Sequence, residues 1–290
     1  MKKNLMKNKA ILITGGLGFV GSHLAEYLCK NNHVYVIDNL FTGSKKNKIQ
    51  NVNYKISHTK NIFNLYNKIK LDYIFHLGEY SRVEQSFDDI DLVYKFNVSP
   101  FHEIIKLTKH HNAKLIYCGS STKFAKYDKS THLSPYAWSK KNNVHFLEIY
   151  NLWFGLNYAV TYFYNVYGER EIKDGKYATV IAKFLELKKN NAACLPVTKP
   201  GTQKRNFTHI NDIISGLIIV AKKGVGDGYG IGSSQSYSIL DLAKMFKMPI
   251  QMTTPKKGNR LSGTLKTSKI KALGWKQRHN LKDYIKNKII

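Results

Sequence analysis

AILITGGLGFVG, residues 10–21, decides how the chain folds. The apolar run Ile11, Leu12, Ile13 closes on Thr14. The glycines Gly15, Gly18 and Gly21 follow at GxxGxxG spacing, with Gly16 as an extra. Phe19, Val20, Leu24 and Leu28 then recur at helical intervals, so the stretch predicts strand, tight turn, helix. Gly15 permits the sharp turn, Gly18 lets a pyrophosphate approach the helix N-terminus, and Gly21 lets helix and strand pack closely. A glycine-rich turn alone is a weak signal. It gains force from a second apolar run, His33 to Ile37, which ends in Asp38 about 20 residues beyond the turn, where an acid holds adenosine ribose hydroxyls. A carboxylate there opposes a ribose 2′-phosphate, so NAD is expected over NADP.

The 290 residues suffice for a dinucleotide-binding core and a smaller lobe, and 43% hydrophobic content describes a globular chain. Cys29, Cys118 and Cys194 are isolated, without metal spacing or a disulfide framework, which suits a reducing, cytoplasmic setting. The basic start MKKNLMKNK precedes only four apolar residues, so no signal peptide is read, and no window reaches transmembrane length. The net charge of +27 comes almost wholly from dispersed lysine, with arginine only at 82, 170, 205, 260 and 278. Specific nucleic-acid readers concentrate arginine and aromatics on one face. Solvated lysine is the reading here, with no specific nucleic-acid partner and no membrane partner, incidental polyanion binding at low salt aside.

Further strands are predicted over Val52–Ile56, Asp72–Leu77, Lys114–Cys118 and Tyr158–Tyr164. Helices are predicted near Ile62–Ile69, over Asp91–His111 with an irregularity at Pro100, and from Ser134-Pro135 to Phe154. This alternation implies an α/β fold with a doubly wound parallel sheet. Beyond Asn165 the rhythm loosens: a helix over Thr179–Lys189, a strand near Cys194, a helix capped by Asn211, a helix start at Ser238/Asp241, and helical stretches around Leu273-Gly274-Trp275 and over Leu281–Ile289. Residues 1–165 are assigned to the dinucleotide-binding domain, with 206–232 returning to it. Residues 166–205 and 233–290 form a smaller, interleaved C-terminal substrate-binding lobe.

Three pieces of chemistry converge on the carboxyl edge of that sheet. Tyr136 and Lys140 form a YxxxK on one helix face. A phenol near pKa 10 is a poor base at neutral pH, but an ammonium and a nicotinamide cation both favour its phenolate. Such a tyrosine can take a proton from a sugar hydroxyl while hydride leaves the same carbon. Ser120, just past the fifth strand, can share a hydrogen bond with the substrate oxygen, with Ser121 and Thr122 as neighbouring alternatives. His76, at the end of the fourth strand, is read as a packed core histidine.

The order of TGGLGFVGSHL, VIDNLFTG, IFHLGEYSRVEQS, SPYAWSK, YNVYGERE, RNFTHINDI and LGW resembles the extended short-chain dehydrogenases/reductases, and more narrowly the nucleotide-sugar epimerase/dehydratase group. The resemblance implies a Rossmann-like core and a catalytic set of Ser120, Tyr136 and Lys140. It implies an NAD site of Gly15, Gly18, Phe19, Val20, Gly21, Asp38, Asn39, Leu77, Gly78, Asn97, Tyr136 and Lys140, with Asn97 supporting the lysine. It also implies nucleotide-sugar contacts from Ser81, Ser121, Asn165 and Arg205, and a homodimer through the helices near 91–111 and 136–154.

Departures from the family pattern shape the choice of reaction. Related 4,6-dehydratases carry Thr-Asp-Glu after the fifth strand, whereas Ser120-Ser121-Thr122 stands here, so a 4-epimerase is favoured over a 4,6-dehydratase. Tyr80 to Ser86 instead resembles the dehydratase ESHVDRS run. His58 falls near a family aspartate for the adenine amine, and Lys256-Lys257-Gly258-Asn259 where relatives show an arginine and an aspartate. Only 16 residues separate Ser120 from Tyr136, a shortened substrate-side loop. A non-catalytic dinucleotide-binding protein is the reading from another functional class.

Overall fold

The structure is a computed structural model and describes residues 6–121, 134–254 and 265–289. Its centre is a seven-stranded parallel sheet. The first six strands are β1 (Ala10–Thr14), β2 (His33–Asp38), β3 (Val52–Ile56), β4 (Tyr73–His76), β5 (Lys114–Ser120) and β6 (Tyr158–Phe163). The edge strand Gly226–Ile231 pairs with β6, and the spatial order from that edge is β6-β5-β4-β1-β2-β3. The chain winds outward from β1 in both directions, so the crevice between β1 and β4 lies at the switch point where such sheets bind ligands.

Apolar side chains cover both faces of the sheet. One face packs α1 (Phe19–Leu28) through Leu24, Ala25 and Leu28 against Ile11 and Ile13, together with Ile213, Leu217 and Val220 of the helix Ile210–Lys223. On the other face lie α2 (Ile62–Tyr66) and the helices α3 (Ile90–Val93), α4 (Phe101–His111) and α5 (Pro135–Phe154). Their Tyr66, Ile104, Leu107 and Leu147 bury Leu12, Leu115 and Val160. A second core joins Tyr167, Phe184, Val197, Phe207, Leu242, Phe246 and Ile285, all from the expected smaller lobe or its border. Ile270 and Trp275, assigned by sequence to that lobe, pack instead in the main-sheet core, where the Trp275 indole donates to the Asp212 carbonyl at 3.0 Å.

Local signals set most boundaries, and the exceptions have physical causes. The Ser134 hydroxyl accepts from Ala137 N with Pro135 opening the helix, and Ser238 with Asp241 forms a capping box. The 91–111 segment divides at a π-turn over Tyr94–Val98 and at Pro100, which cannot donate to the preceding turn. The expected Ile62–Ile69 helix stops at Tyr66. The helix expected to be capped by Asn211 begins two residues earlier, at Ile210, because the His209 imidazole Nδ1 accepts from Asn211 N. Among the described residues no helix is long and apolar enough to cross a membrane.

The tightest constraint is at the first turn. Gly15 has φ +70°, and a Cβ on it would lie 2.7 Å from the Gly78 Cα. One on Gly21 would lie 2.1 Å from the Gly15 carbonyl oxygen. Gly21→Ala should therefore destabilise the fold by about 1–3 kcal/mol through forced backbone displacement, read as a lower urea midpoint with an unchanged m value.

Candidate active site

A cavity of about 510 Å³ opens over the carboxyl ends of β1, β4 and β5. One wall is the first turn and α1, with Gly15, Gly18, Phe19, Val20 and Gly21 all on its surface. Gly18 offers no side-chain cap to α1. The opening N–H groups of that helix therefore face the cavity without intrahelical partners, a cradle suited to a pyrophosphate. Asp38 lines the next wall with Asn39. Its carboxylate accepts from Leu17 N at 2.9 Å and Leu40 N at 2.8 Å, which fixes it at the strand end, and burial raises its pKa despite those bonds. Two backbone bonds leave carboxylate lone pairs for ribose hydroxyls. Phe41, Phe96, Ser57 and Thr59 complete this end. His58 stands behind them, its Nδ1 accepting from Lys60 N and its ring against Phe96. These residues fit a dinucleotide such as NAD.

The opposite wall carries the catalytic candidates. Ser120, Tyr136 and Lys140 all line the cavity, and both the Lys140 charge and the Ser120 hydroxyl act to lower the Tyr136 phenol, which burial raises. Lys140 is buried; its ammonium donates to the Cys118 carbonyl at 2.6 Å and to the Glu79 carboxylate. An ammonium has three donors, so one remains for the cavity.

Glu79 is the residue that sequence reading passed over. Its side chain is 1% exposed. Around it stand Lys140, the Tyr117 hydroxyl at 3.0 Å, the Asn143 amide at 2.8 Å and His76 Nε2 at 3.2 Å. Burial pushes its pKa up, but the Lys140 and His76 contacts outweigh it and hold the carboxyl below its ordinary value. Tyr136, Lys140 and Asn143 are spaced i, i+4, i+7 on α5, a pattern that could have revealed Asn143. Nothing local marks Glu79, whose lysine lies 61 positions away.

Other candidates sort by position. Leu77, Gly78, Ser81, Ser121 and Asn165 are on the cavity wall; Asn97 and Arg205 are not. Asn97 is fully buried behind it, with its Oδ1 accepting from Tyr80 N at 2.7 Å and its carbonyl accepting from Asn143 at 2.8 Å. It thus reaches the lysine only through Asn143 and Glu79. Arg205 lies on the strand Lys204–Asn206 with its guanidinium donating to the Lys204 carbonyl. Thr122 and residues 256–259 lie outside the described residues. Arg82, Glu171 and Tyr177 also line the cavity, and the Arg82 Nε donates to the Tyr177 carbonyl at 3.1 Å.

The model of the NAD dependent epimerase/dehydratase family matches residues 11–232. The chain belongs to that family. Relatives include a dTDP-D-glucose 4,6-dehydratase of Dictyostelium discoideum, 30% identical over 81% of this chain. The chain spans only 60% of that relative's length. A putative UDP-glucose 4-epimerase of Methanocaldococcus jannaschii is 28% identical, over 95% of this chain and 96% of that protein. Among solved structures, Pal from Bacillus thuringiensis superimposes with a TM-score of 0.90 at 22% identity over 97% of each chain. The Thermus thermophilus UDP-glucose 4-epimerase in complex with NAD gives 0.87 at 20% identity, also over 97% of each. At such identities the structural likeness establishes the fold, and the family model establishes membership.

Glu171 gives a test of the cavity wall that needs no substrate. It is buried, accepts from Gly168 N at 2.9 Å, and burial raises its carboxyl to about 7. An acid whose folded pKa exceeds its unfolded one favours the folded state only while protonated. Its contribution is full below about pH 4.5, falls as pH rises, and is gone above about 7. The stability of the cofactor-free protein relative to Glu171→Gln should therefore drop by about 3 kcal/mol between pH 4.5 and 7.5, measured by urea denaturation across that range.

Proposed function

We propose that the protein is an NAD-dependent nucleotide-sugar 4-epimerase. The observation that carries this reading is the meeting of Ser120, Tyr136 and Lys140 on one wall of the cavity, opposite a turn shaped for a dinucleotide. NAD, when bound, accepts a hydride from the sugar carbon and returns it. Tyr136 takes the proton of the C4 hydroxyl, and Ser120 holds the same oxygen. The remaining Lys140 N–H reaches the nicotinamide ribose. The resulting 4-keto sugar turns in the cavity, and Tyr136 returns the proton on the other face. The diphosphate lies toward Asn165, and Arg205, off the cavity wall with its guanidinium on the Lys204 carbonyl, would have to turn to reach it. The free cysteines suit a cytoplasmic setting.

A 4,6-dehydratase would require in addition an acid and a base at C5 and C6. Among the described residues the cavity carboxyls are those of Asp38, Glu79 and Glu171. Asp38 is committed to the first turn and Glu79 to Lys140, which leaves Glu171, raised to about 7 by burial, as a single acid where elimination needs an acid and a base. That favours epimerisation, which asks only for one proton and one hydride. Incubation with UDP-, GDP- and dTDP-sugars, followed by mass spectrometry and chromatography, separates the outcomes. An epimer of unchanged mass supports the proposal. Loss of water identifies the dehydratase, and no conversion of any sugar by NAD-loaded protein points to a non-catalytic dinucleotide binder. Tyr136→Phe should reduce turnover by about 10²–10⁴-fold, and normal turnover by that variant would exclude Tyr136 as the base.

We further propose a homodimer. Trp138, Phe146 and Trp153 recur along α5, and each is 42% exposed or more; Leu152 and Phe154 extend this apolar surface. Ile90 and Tyr94, from the adjoining α3 segment, are also exposed. A surface so rich in large apolar groups suits burial against a second copy. Trp153→Glu should turn a dimeric light-scattering mass into a monomeric one, with the far-ultraviolet spectrum unchanged.

A further inference from the structure

Two loops that are distant in the chain meet at the cavity. One, residues 172–179, precedes the helix Val180–Lys189 and is closed at its neck by Thr179 N, which donates to the Ile172 carbonyl at 3.0 Å. Residues 173–176 of it are exposed, and Tyr177 lines the cavity. The other, residues 80–89, lies between β4 and α3. We propose that the first loop is a strap over the cofactor and that Asp89 is its latch, a positioning residue that sets how fast NAD enters and leaves.

Three side chains of the second loop make the joint. Arg82 donates to the Tyr177 carbonyl from Nε at 3.1 Å and from Nη2 at 2.5 Å, and the Gln85 amide donates to the Lys176 carbonyl at 2.9 Å. Asp89 closes it. Its Oδ1 accepts from the Lys176 ammonium at 2.8 Å, and its Oδ2 accepts from the Tyr177 and Tyr80 hydroxyls, each at 2.8 Å. Among the described residues no backbone–backbone hydrogen bond joins the two loops, so the strap lifts without breaking a strand or a helix. Neutral hydrogen bonds and an ion pair whose lysine is 45% exposed are individually weak, as a joint that opens and recloses requires.

The Tyr177 ring shows what the strap covers. It packs on Phe41 with 5.3 Å between centroids, and Phe41 packs on Phe96 at 4.8 Å. All three rings line the cavity, and Phe41 stands three residues past Asp38. Tyr136 packs against the same aromatic cluster. The Tyr177–Phe41 contact therefore bridges from the wall of Asp38 to the segment that follows Glu171. A dinucleotide held by Asp38 and Lys140 has to pass that bridge, whereas the sugar diphosphate lies away from it, toward Asn165. Every bond of the latch is between protein groups, so it forms with or without the cofactor. It slows entry and exit alike and leaves the affinity nearly unchanged. Such retention suits the 4-epimerase reading, on which it rests: there NAD is regenerated within each cycle and need not leave.

Exchange kinetics test this without any sugar. The full chain is loaded with NADH, whose fluorescence reports the bound state, and chased with excess NAD⁺; association is followed by mixing the cofactor-free chain with NADH. In Asp89→Ala both rate constants should rise by about tenfold or more, with Kd altered by less than roughly threefold. Lys176→Glu, at an exposed position, should move both in the same direction. Unchanged rate constants in the folded variants overturn the strap. Faster dissociation alone, with the affinity weakened in proportion, also overturns it and makes Asp89 a mere support of the binding surface. Should Asp89→Ala not fold, Lys176→Glu decides by the same outcomes. Failure of the epimerase reading is a separate result, visible as loss of water or absence of conversion in the mass-spectrometric assay.

Discussion

The hydroxyl of Thr14 joins the two halves of this molecule. It collects two backbone N–H groups from the end of β4 and gives its proton to His76, at the place where Gly15 and Gly78 approach too closely for any side chain. The two strands on either side of the switch point are thereby locked at their carboxyl ends, and that lock forms the floor of the cavity. From Thr14 the contacts continue through His76 to Glu79 and on to Lys140. The first turn and the cavity lysine are thus linked by four side chains, all taken out of water.

Such a link is a poor way to gain stability. Removing an ammonium and a carboxylate from water costs several kcal/mol each, and an apolar pair of similar volume is often no less stable. The surrounding donors make the arrangement tolerable by satisfying the carboxylate. They do not explain why it is there. What the contact does fix is place: the Lys140 ammonium is held between the Cys118 carbonyl and the Glu79 carboxylate, on the wall that it shares with Tyr136.

What the sequence revealed follows the range of the forces involved. The first strand, turn and helix, the acid at Asp38, the Ser134 cap and the capping box at Ser238 are local, set by residues within a few positions, and they were legible. So was the Tyr136/Lys140 face, because helical spacing alone creates it. The break in the 91–111 helix was anticipated at Pro100, whereas the π-turn around Asn97 has no such marker. Glu79 could not be recognised from its neighbours. It is one carboxylate in a polar loop until β5 and α5 are laid beside it, which takes contacts across dozens of residues. The same holds for Trp275, whose indole is fixed by Asp212 on a distant helix and which therefore joins the main core rather than the smaller lobe. His209 displaced Asn211 as a cap for a subtler reason, since imidazole can accept as a cap but is seldom read as one.

One fold serves both epimerases and dehydratases because the hydride step is common to them, and they part over which further protons can be moved at the sugar. That choice is made by the pKa values of the groups along the wall. A serine hydroxyl holds an oxygen in place but does not exchange its proton near neutrality, whereas a free carboxyl does. In the described wall Ser121 stands where the family resemblance puts the first dehydratase acid, and two of the three carboxyls, Asp38 and Glu79, are bound to other duties. Glu171 stands apart from them: burial raises its carboxyl to about 7, so besides Tyr136 the described wall holds one acid that can exchange its proton near neutrality, where elimination asks for an acid and a base together. That distribution favours chemistry at C4.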